Sequence, residues 1–96
     1  MLRITVVSEK IEKAELKIEG RISGEDAALL EKEGDRWLEQ AKSIELDLSG
    51  VQFIDSAGAA VLLHWPMERV FFRNTSSFIG TLLETYRKKV QNSINS

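Results

Sequence analysis

The chain has 96 residues, 43% of them hydrophobic, and a net charge of −2 from 13 basic and 15 acidic side chains. This length predicts one domain over 1–96, with a modest core and no room for a deep substrate chamber. The near balance of charge argues against a nucleic-acid partner. The absence of cysteine excludes a disulfide framework, a cysteine nucleophile and a thiolate metal site.

The first residues predict a β-hairpin. Apolar and polar residues alternate over 2–7 and again over 14–19, a polar stretch at 8–13 connects the two runs, and Gly20 closes the second. The first run therefore predicts a strand rather than an export signal. The longest apolar run, 57–63, is far shorter than the roughly 20 residues needed to cross a bilayer. We expect a cytoplasmic location without direct membrane insertion.

A helical period replaces the alternation after the hairpin. It predicts a helix over 24–41, with Ser23 as the N-cap and Asp26 completing a capping box. Gly34 lies on the apolar stripe of this helix. A glycine there costs about 1 kcal/mol relative to alanine, unless close packing requires the absence of a side chain.

The next segments predict a third strand and a second helix. Alternation over 44–48 indicates the strand, Ser49 and Gly50 predict a turn, and 51–54 lead the chain to an Asp-Ser pair. Apolar residues at three- and four-residue spacings then predict a helix over 56–65, which Pro66 ends.

The remaining residues predict one more strand and one more helix. The run 70–72 is apolar on both faces, which favours a central strand. A helix over 77–90 follows, and 91–96 are expected to fray. The order β-β-α-β-α-β-α predicts an α/β domain in which a four-stranded mixed sheet packs against three helices.

The segment 46–58 carries the chemistry. A buried strand ends at Asp55 and Ser56, which the pattern places at a helix N-terminus. Unpaired backbone N–H groups and the helix dipole make such a position receptive to negative charge. The small residues Ala57 and Gly58 leave space for a large, flat partner beside the serine hydroxyl. This turn is the candidate functional site.

The same segment resembles the signature of the STAS-domain family, which includes sulfate transporters and anti-sigma-factor antagonists. In that family a strand ends in an apolar-Asp-Ser-x-Gly turn before an apolar helix. In the antagonist branch a serine kinase, which is also the anti-sigma factor, phosphorylates the serine, and a phosphatase opposes it. The resemblance implies that Ser56 is the phosphoacceptor and that Asp55, Ala57 and Gly58 contact the partner. It implies no cofactor in this chain, because ATP belongs to the kinase.

The end of the hairpin departs from the family pattern. The family's usual Gly-Glu-Leu-Asp is replaced by Gly20, Arg21, Ile22 and Ser23. Arg21 and Ser23 are therefore placed in the predicted partner surface, with a changed partner preference. A second interpretation stays open, in which the chain is a constant STAS subunit of a lipid-transporting ABC complex. The acceptor position of that class is often threonine, so Ser56 favours the phosphorylation switch.

No constellation in the sequence supports an enzyme. A serine-hydrolase elbow needs glycine two residues before the nucleophile, and Ile54 occupies that position. The only histidine, His64, lies eight residues beyond Ser56, which is roughly 12 Å along a helix. A single histidine without cysteine also argues against a transition-metal site.

Overall fold

The computed structural model describes residues 1–95, with side chains as far as Lys89. The strands are β1 (Leu2–Glu9), β2 (Lys13–Ile22), β3 (Ser43–Ile54) and β4 (Val70–Arg73), and the helices are α1 (Glu25–Gln40), α2 (Ser56–His64) and α3 (Ser77–Asn95). The sheet order is β1-β2-β3-β4, where β1 pairs antiparallel with β2 and the other two pairings are parallel. The predicted α/β architecture is confirmed.

The three helices form one layer on one face of the sheet. α2 contacts both α1 and α3, and each helix also contacts β3. The alternating residues of the two central strands explain this arrangement, because one face of each strand is wholly apolar and buried. That face consists of Ala14, Leu16, Ile18, Ile44, Leu46 and Leu48. A slip of one residue would expose this set to water, so burial fixes the register of β2 against β3.

The opposite face of the sheet carries charged side chains. Glu45 is the buried one among them, with 9% of its surface exposed. Its carboxylate forms ion pairs with Lys13 and Arg73, each with a 2.9 Å nitrogen-oxygen distance. Because β2, β3 and β4 each contribute one member, the cluster ties three strands together on this face.

The prediction that the fourth strand is central is wrong. β4 lies at the edge of the sheet, beside β3 only. Val70 points into the core, whereas Phe71 is 48% exposed on the outer face. A strand with apolar residues on both faces indicates a central position only when both faces are covered. Here the helices cover one face, so Phe71 remains exposed.

The predicted turn at Ser49 and Gly50 is also wrong, because β3 continues through both residues. The strand absorbs the extra length as register shifts against β2. Asp47 accepts a 2.9 Å hydrogen bond from the Ser49 N–H, so the shift does not leave that donor unpaired. The same bond is the main reason that the pKa of Asp47 lies below its usual value.

The last helix is longer than predicted and ends at Asn95 rather than at residue 90. We also expected residues 91–96 to fray. Ser96 and the side chains of 91–95 lie outside the described residues, so this expectation stays a prediction. Within residues 1–95, no helix is both long and apolar enough to cross a membrane.

Candidate functional site

The site lies where two loops meet at the carboxyl ends of the parallel strands β2 and β3. Asp55 is the N-cap of α2, and its Oδ1 accepts a 2.8 Å hydrogen bond from the Gly58 N–H. Its Oδ2 accepts a 3.0 Å hydrogen bond from the N–H of Gly24, which precedes α1. The Asp55 N–H in turn donates to the carbonyl of Ile22. One carboxylate therefore joins the N-terminal ends of α1 and α2.

These hydrogen bonds also set the charge of the site. The bond from Gly58, and after it the bond from Gly24, hold the pKa of Asp55 below its usual value. The carboxylate is therefore ionised at neutral pH and lies between the positive ends of two helix dipoles. The prediction that Asp55 and Ser56 stand at a helix start is confirmed.

The prediction that Ser23 caps the first helix is wrong. Gly24 is the N-cap, and no side chain within the described residues caps this end of α1 locally. Gly24 has φ 55°, a left-handed conformation that glycine adopts without steric cost. This residue separates Ser23 from the helix by one position, and the half-buried Ser23 uses its backbone carbonyl to accept from Asp26. The acidic side chain that accepts a hydrogen bond at this end of α1 is that of Asp55, which lies 31 residues further along the chain and binds the Gly24 N–H.

Ser56 is the first residue of α2, and its side chain is exposed, as is that of Ala57. Because Asp55 supplies the cap, the hydroxyl of Ser56 is not required for it. Gly58 differs from both, since it is buried. A Cβ at this position would lie 2.2 Å from the Ile22 carbonyl oxygen. Gly58 therefore lets α2 approach β2 closely.

Arg21 is exposed near the end of β2, beside the loop that leads to α1. It pairs in register with Phe53 of β3, and its guanidinium carbon lies 4.9 Å from the centre of the Phe53 ring. This cation–π contact holds the positive charge next to the Asp55 loop. The role of Phe53 was not predicted, because it depends on the register between two strands that the sequence does not state.

The far end of α2 contains the histidine. His64 Nδ1 lies 2.6 Å from the Val61 carbonyl oxygen, and its Nε2 lies 3.5 Å from a Glu31 carboxylate oxygen. His64 is the last residue of the helix that Ser56 begins, so the two side chains lie at opposite ends. Across the described residues, no group of three His, Asp or Glu side chains is arranged to hold a metal ion.

A mixed sheet with one layer of helices, and an exposed serine after a capping aspartate, define a small α/β domain with its candidate site at a helix N-terminus. The family model described as "Mlab, STAS domain" matches residues 5–70. The chain therefore belongs to this STAS-domain family, as the sequence resemblance indicated.

Two solved structures share the fold. The anti-sigma factor antagonist SpoIIAA in its unphosphorylated form has a TM-score of 0.67 and 12% identity, over 85% of this chain and 82% of that chain. An anti-sigma factor antagonist from Mycobacterium paratuberculosis has a TM-score of 0.66 and 20% identity, over 93% of this chain and 82% of that chain. No curated protein sequence matches the chain significantly.

Proposed function

We propose that this protein is a regulatory binding protein of the anti-sigma-factor-antagonist type, and that phosphorylation of Ser56 blocks its partner. One observation carries the proposal: the exposed Ser56 side chain stands on a first helical turn whose backbone Asp55 already holds in place. A kinase can therefore reach the hydroxyl without unfolding the domain. The likeness in fold to two anti-sigma factor antagonists supports this class of role.

The charge of the site supports an inhibitory effect. A phosphate adds about 1.5 to 2 negative charges. It would stand beside Asp55, whose carboxylate already accepts hydrogen bonds from Gly58 and Gly24. A partner that packs against the exposed Ala57 would have to desolvate the combined negative charge of the phosphate and the Asp55 carboxylate. Such burial costs several kcal/mol when no cation compensates it, which is enough to switch binding off.

The proposed partner is a serine kinase that acts as an anti-sigma factor, and a phosphatase restores the unmodified state. The proposed contact surface consists of Asp55, Ser56 and Ala57 with the buried Gly58 behind them, and it is extended by Ser23 and Arg21. Arg21 is exposed and stacked on Phe53, so it presents a fixed positive charge. We infer that the partner places an acidic or neutral group opposite it.

The test compares binding of the cognate kinase to four forms of the protein by calorimetry. Unmodified protein and Ser56→Ala are expected to bind equally well, whereas Ser56→Asp and the phosphorylated protein bind at least about tenfold more weakly. Mass spectrometry locates the phosphate. Ser77→Asp is the matched control, because Ser77 is also an exposed first residue of a helix. A phosphate elsewhere, or equal binding of all forms, contradicts the proposal.

A second candidate is a constant subunit of a lipid-transporting ABC complex. It is retained because the matching family model is that of an Mlab STAS domain. In this role the surface around Ser56 contacts an ATPase subunit permanently, and phosphorylation plays no part. Stable co-purification with such a subunit, unaffected by Ser56→Ala, favours this candidate over the switch.

A further inference from the structure

A cavity of about 280 Å³ opens between α2, β4 and α3. Its walls come from the C-terminal half of α2 and from the segment that follows, so it lies at the opposite end of this helix from Ser56. Among the residues whose side chains the structure describes, seven line it, and six of these are apolar, namely Leu62, Leu63, Trp65, Met67, Val70 and Phe72. The seventh lining residue is Arg87 of α3.

The two polar side chains among the described residues that line this cavity, those of Trp65 and Arg87, differ in how firmly they are paired. The indole N–H of Trp65 donates to Asp35 Oδ1 at 2.9 Å, so the ring presents only apolar surface to the cavity. Arg87 has a loose partner, Glu84 Oε1 at 3.6 Å, in an exposed pair one helical turn apart. Exposed pairs of this kind contribute little free energy. The guanidinium is therefore available to an anion at the mouth of the cavity.

We propose that this cavity binds a small aliphatic monocarboxylate, with the chain against the apolar wall and the carboxylate on Arg87. An apolar cavity of about 150 Å³ holds a benzene-sized molecule, so 280 Å³ has room for roughly ten to twelve non-hydrogen atoms. That number corresponds to an acid of about eight to ten carbons. The planar guanidinium can accept such a carboxylate in a bidentate pair, which a neutral ligand cannot form.

An uncharged apolar side chain from a partner protein would also fit the wall, but it would leave Arg87 without a role. Arg87 is the one cation among the described lining residues, and it therefore favours the carboxylate. The charge dependence of binding separates the two occupants. The proposal is independent of the phosphorylation switch, because Ser56 lies outside the cavity and no lining residue belongs to the Asp55 loop.

The two methionines of the chain provide the assay. Met67 lines the cavity and is 76% exposed, whereas Met1 is 99% exposed and does not line it. In a titration of methyl-labelled protein with octanoate, the NMR signal of Met67 should shift with saturation and that of Met1 should not. An acid of ten non-hydrogen atoms is expected to bind in the millimolar range. Octanol serves as the neutral ligand of matched length.

Arg87→Gln should lower the affinity for octanoate about tenfold and change the affinity for octanol less than about twofold, because only the acid binds the guanidinium. Arg36→Gln is the matched control, since Arg36 forms the same type of one-turn pair, with Glu33 at 3.8 Å. Thermal unfolding checks that both variants fold. The proposal is overturned if Met67 does not shift at about 10 mM octanoate, if Met1 shifts equally, or if both variants weaken octanoate to the same extent. Octanol binding as tight as octanoate would identify the cavity as a site for uncharged groups.

Discussion

Replacing Asp55 by alanine removes the acceptor of two backbone hydrogen bonds, from Gly58 at 2.8 Å and from Gly24 at 3.0 Å. Loss of an N-cap costs about 1 kcal/mol. The second bond reaches another loop, and because it is solvent-exposed we assign it about 1 kcal/mol, the value of an ordinary hydrogen bond rather than that of a buried charged one. The free energy of unfolding should fall by about 2 kcal/mol, which corresponds to roughly 8–16 °C in Tm for a domain of this size.

Two further variants separate the contributions. Asp55→Ser keeps an acceptor for the cap of α2, but the shorter side chain cannot also reach Gly24, so about half of the loss is expected. Asp26→Ala is the control, because Asp26 lies in the first turn of α1 and acts on it through the helix dipole. Its removal should cost less than about 1 kcal/mol.

Urea unfolding at about pH 7 and about pH 3 provides the assay. The folded-state pKa of Asp55 is lower than its unfolded value of about 3.8, so its stabilisation is complete above that unfolded pKa. It is lost as the pH falls through the folded-state pKa. The stability difference between the unmodified protein and Asp55→Ala should therefore shrink at the lower pH. A loss no larger than that of Asp26→Ala, or a difference independent of pH, would refute the reasoning.

Two further substitutions, each with a matched control, test how the helices are held. Gly34→Ala should destabilise the protein by about 1–3 kcal/mol, because the new Cβ would lie 2.3 Å from Trp65 Cζ2. Gly80→Ala meets no close neighbour in its helix and should stabilise by up to about 1 kcal/mol, so opposite shifts of Tm are expected. Arg69→Lys should cost about 1–2 kcal/mol in urea unfolding, because the guanidinium donates to three carbonyls at and after the end of α1. Arg36→Lys, on the exposed face of α1, should leave the midpoint unchanged.

Most of the fold was predictable because its signals are local. The two-residue period of the buried strand faces and the helical period between them fixed the element order and type. The position of β4 was not predictable, because apolar residues on both faces of a strand do not reveal that helices cover only one. The continuation of β3 through Ser49 was also missed. At this position the Asp47 carboxylate accepts a hydrogen bond from the Ser49 N–H, so the strand continues without leaving that backbone donor unpaired.

The candidate site likewise combines local features, which were predictable from the sequence, with long-range contacts, which were not. The pattern around Asp55 and Ser56 is contiguous in sequence, so the helix start was predictable. The bond from Asp55 to Gly24 spans 31 residues, and Ser23 resembled a cap because its neighbours fit the local rule. The burial of Gly58 against Ile22 likewise follows from tertiary packing, which the local sequence does not reveal.

The electrostatics of α2 distinguish Ser56 from another serine in the same helical position. At α3 the neutral Ser76 hydroxyl accepts from the Ile79 N–H, and the first turn of this helix contains no acidic residue beside Ser77. At α2 the ionised Asp55 already occupies that place.

A negative charge on Ser77 should therefore stabilise its helix through the helix dipole. On Ser56 the same favourable term is offset by repulsion from the neighbouring Asp55 carboxylate. Ser77→Asp is expected to raise the free energy of unfolding by about 0.3–1 kcal/mol, and Ser56→Asp to leave it unchanged or lower it by a similar amount. Urea unfolding of both variants at low salt, repeated at high salt to screen the effect, measures the contrast. Equal stabilisation of both would show that Asp55 does not oppose a charge at Ser56, and the electrostatic basis of the switch would be lost.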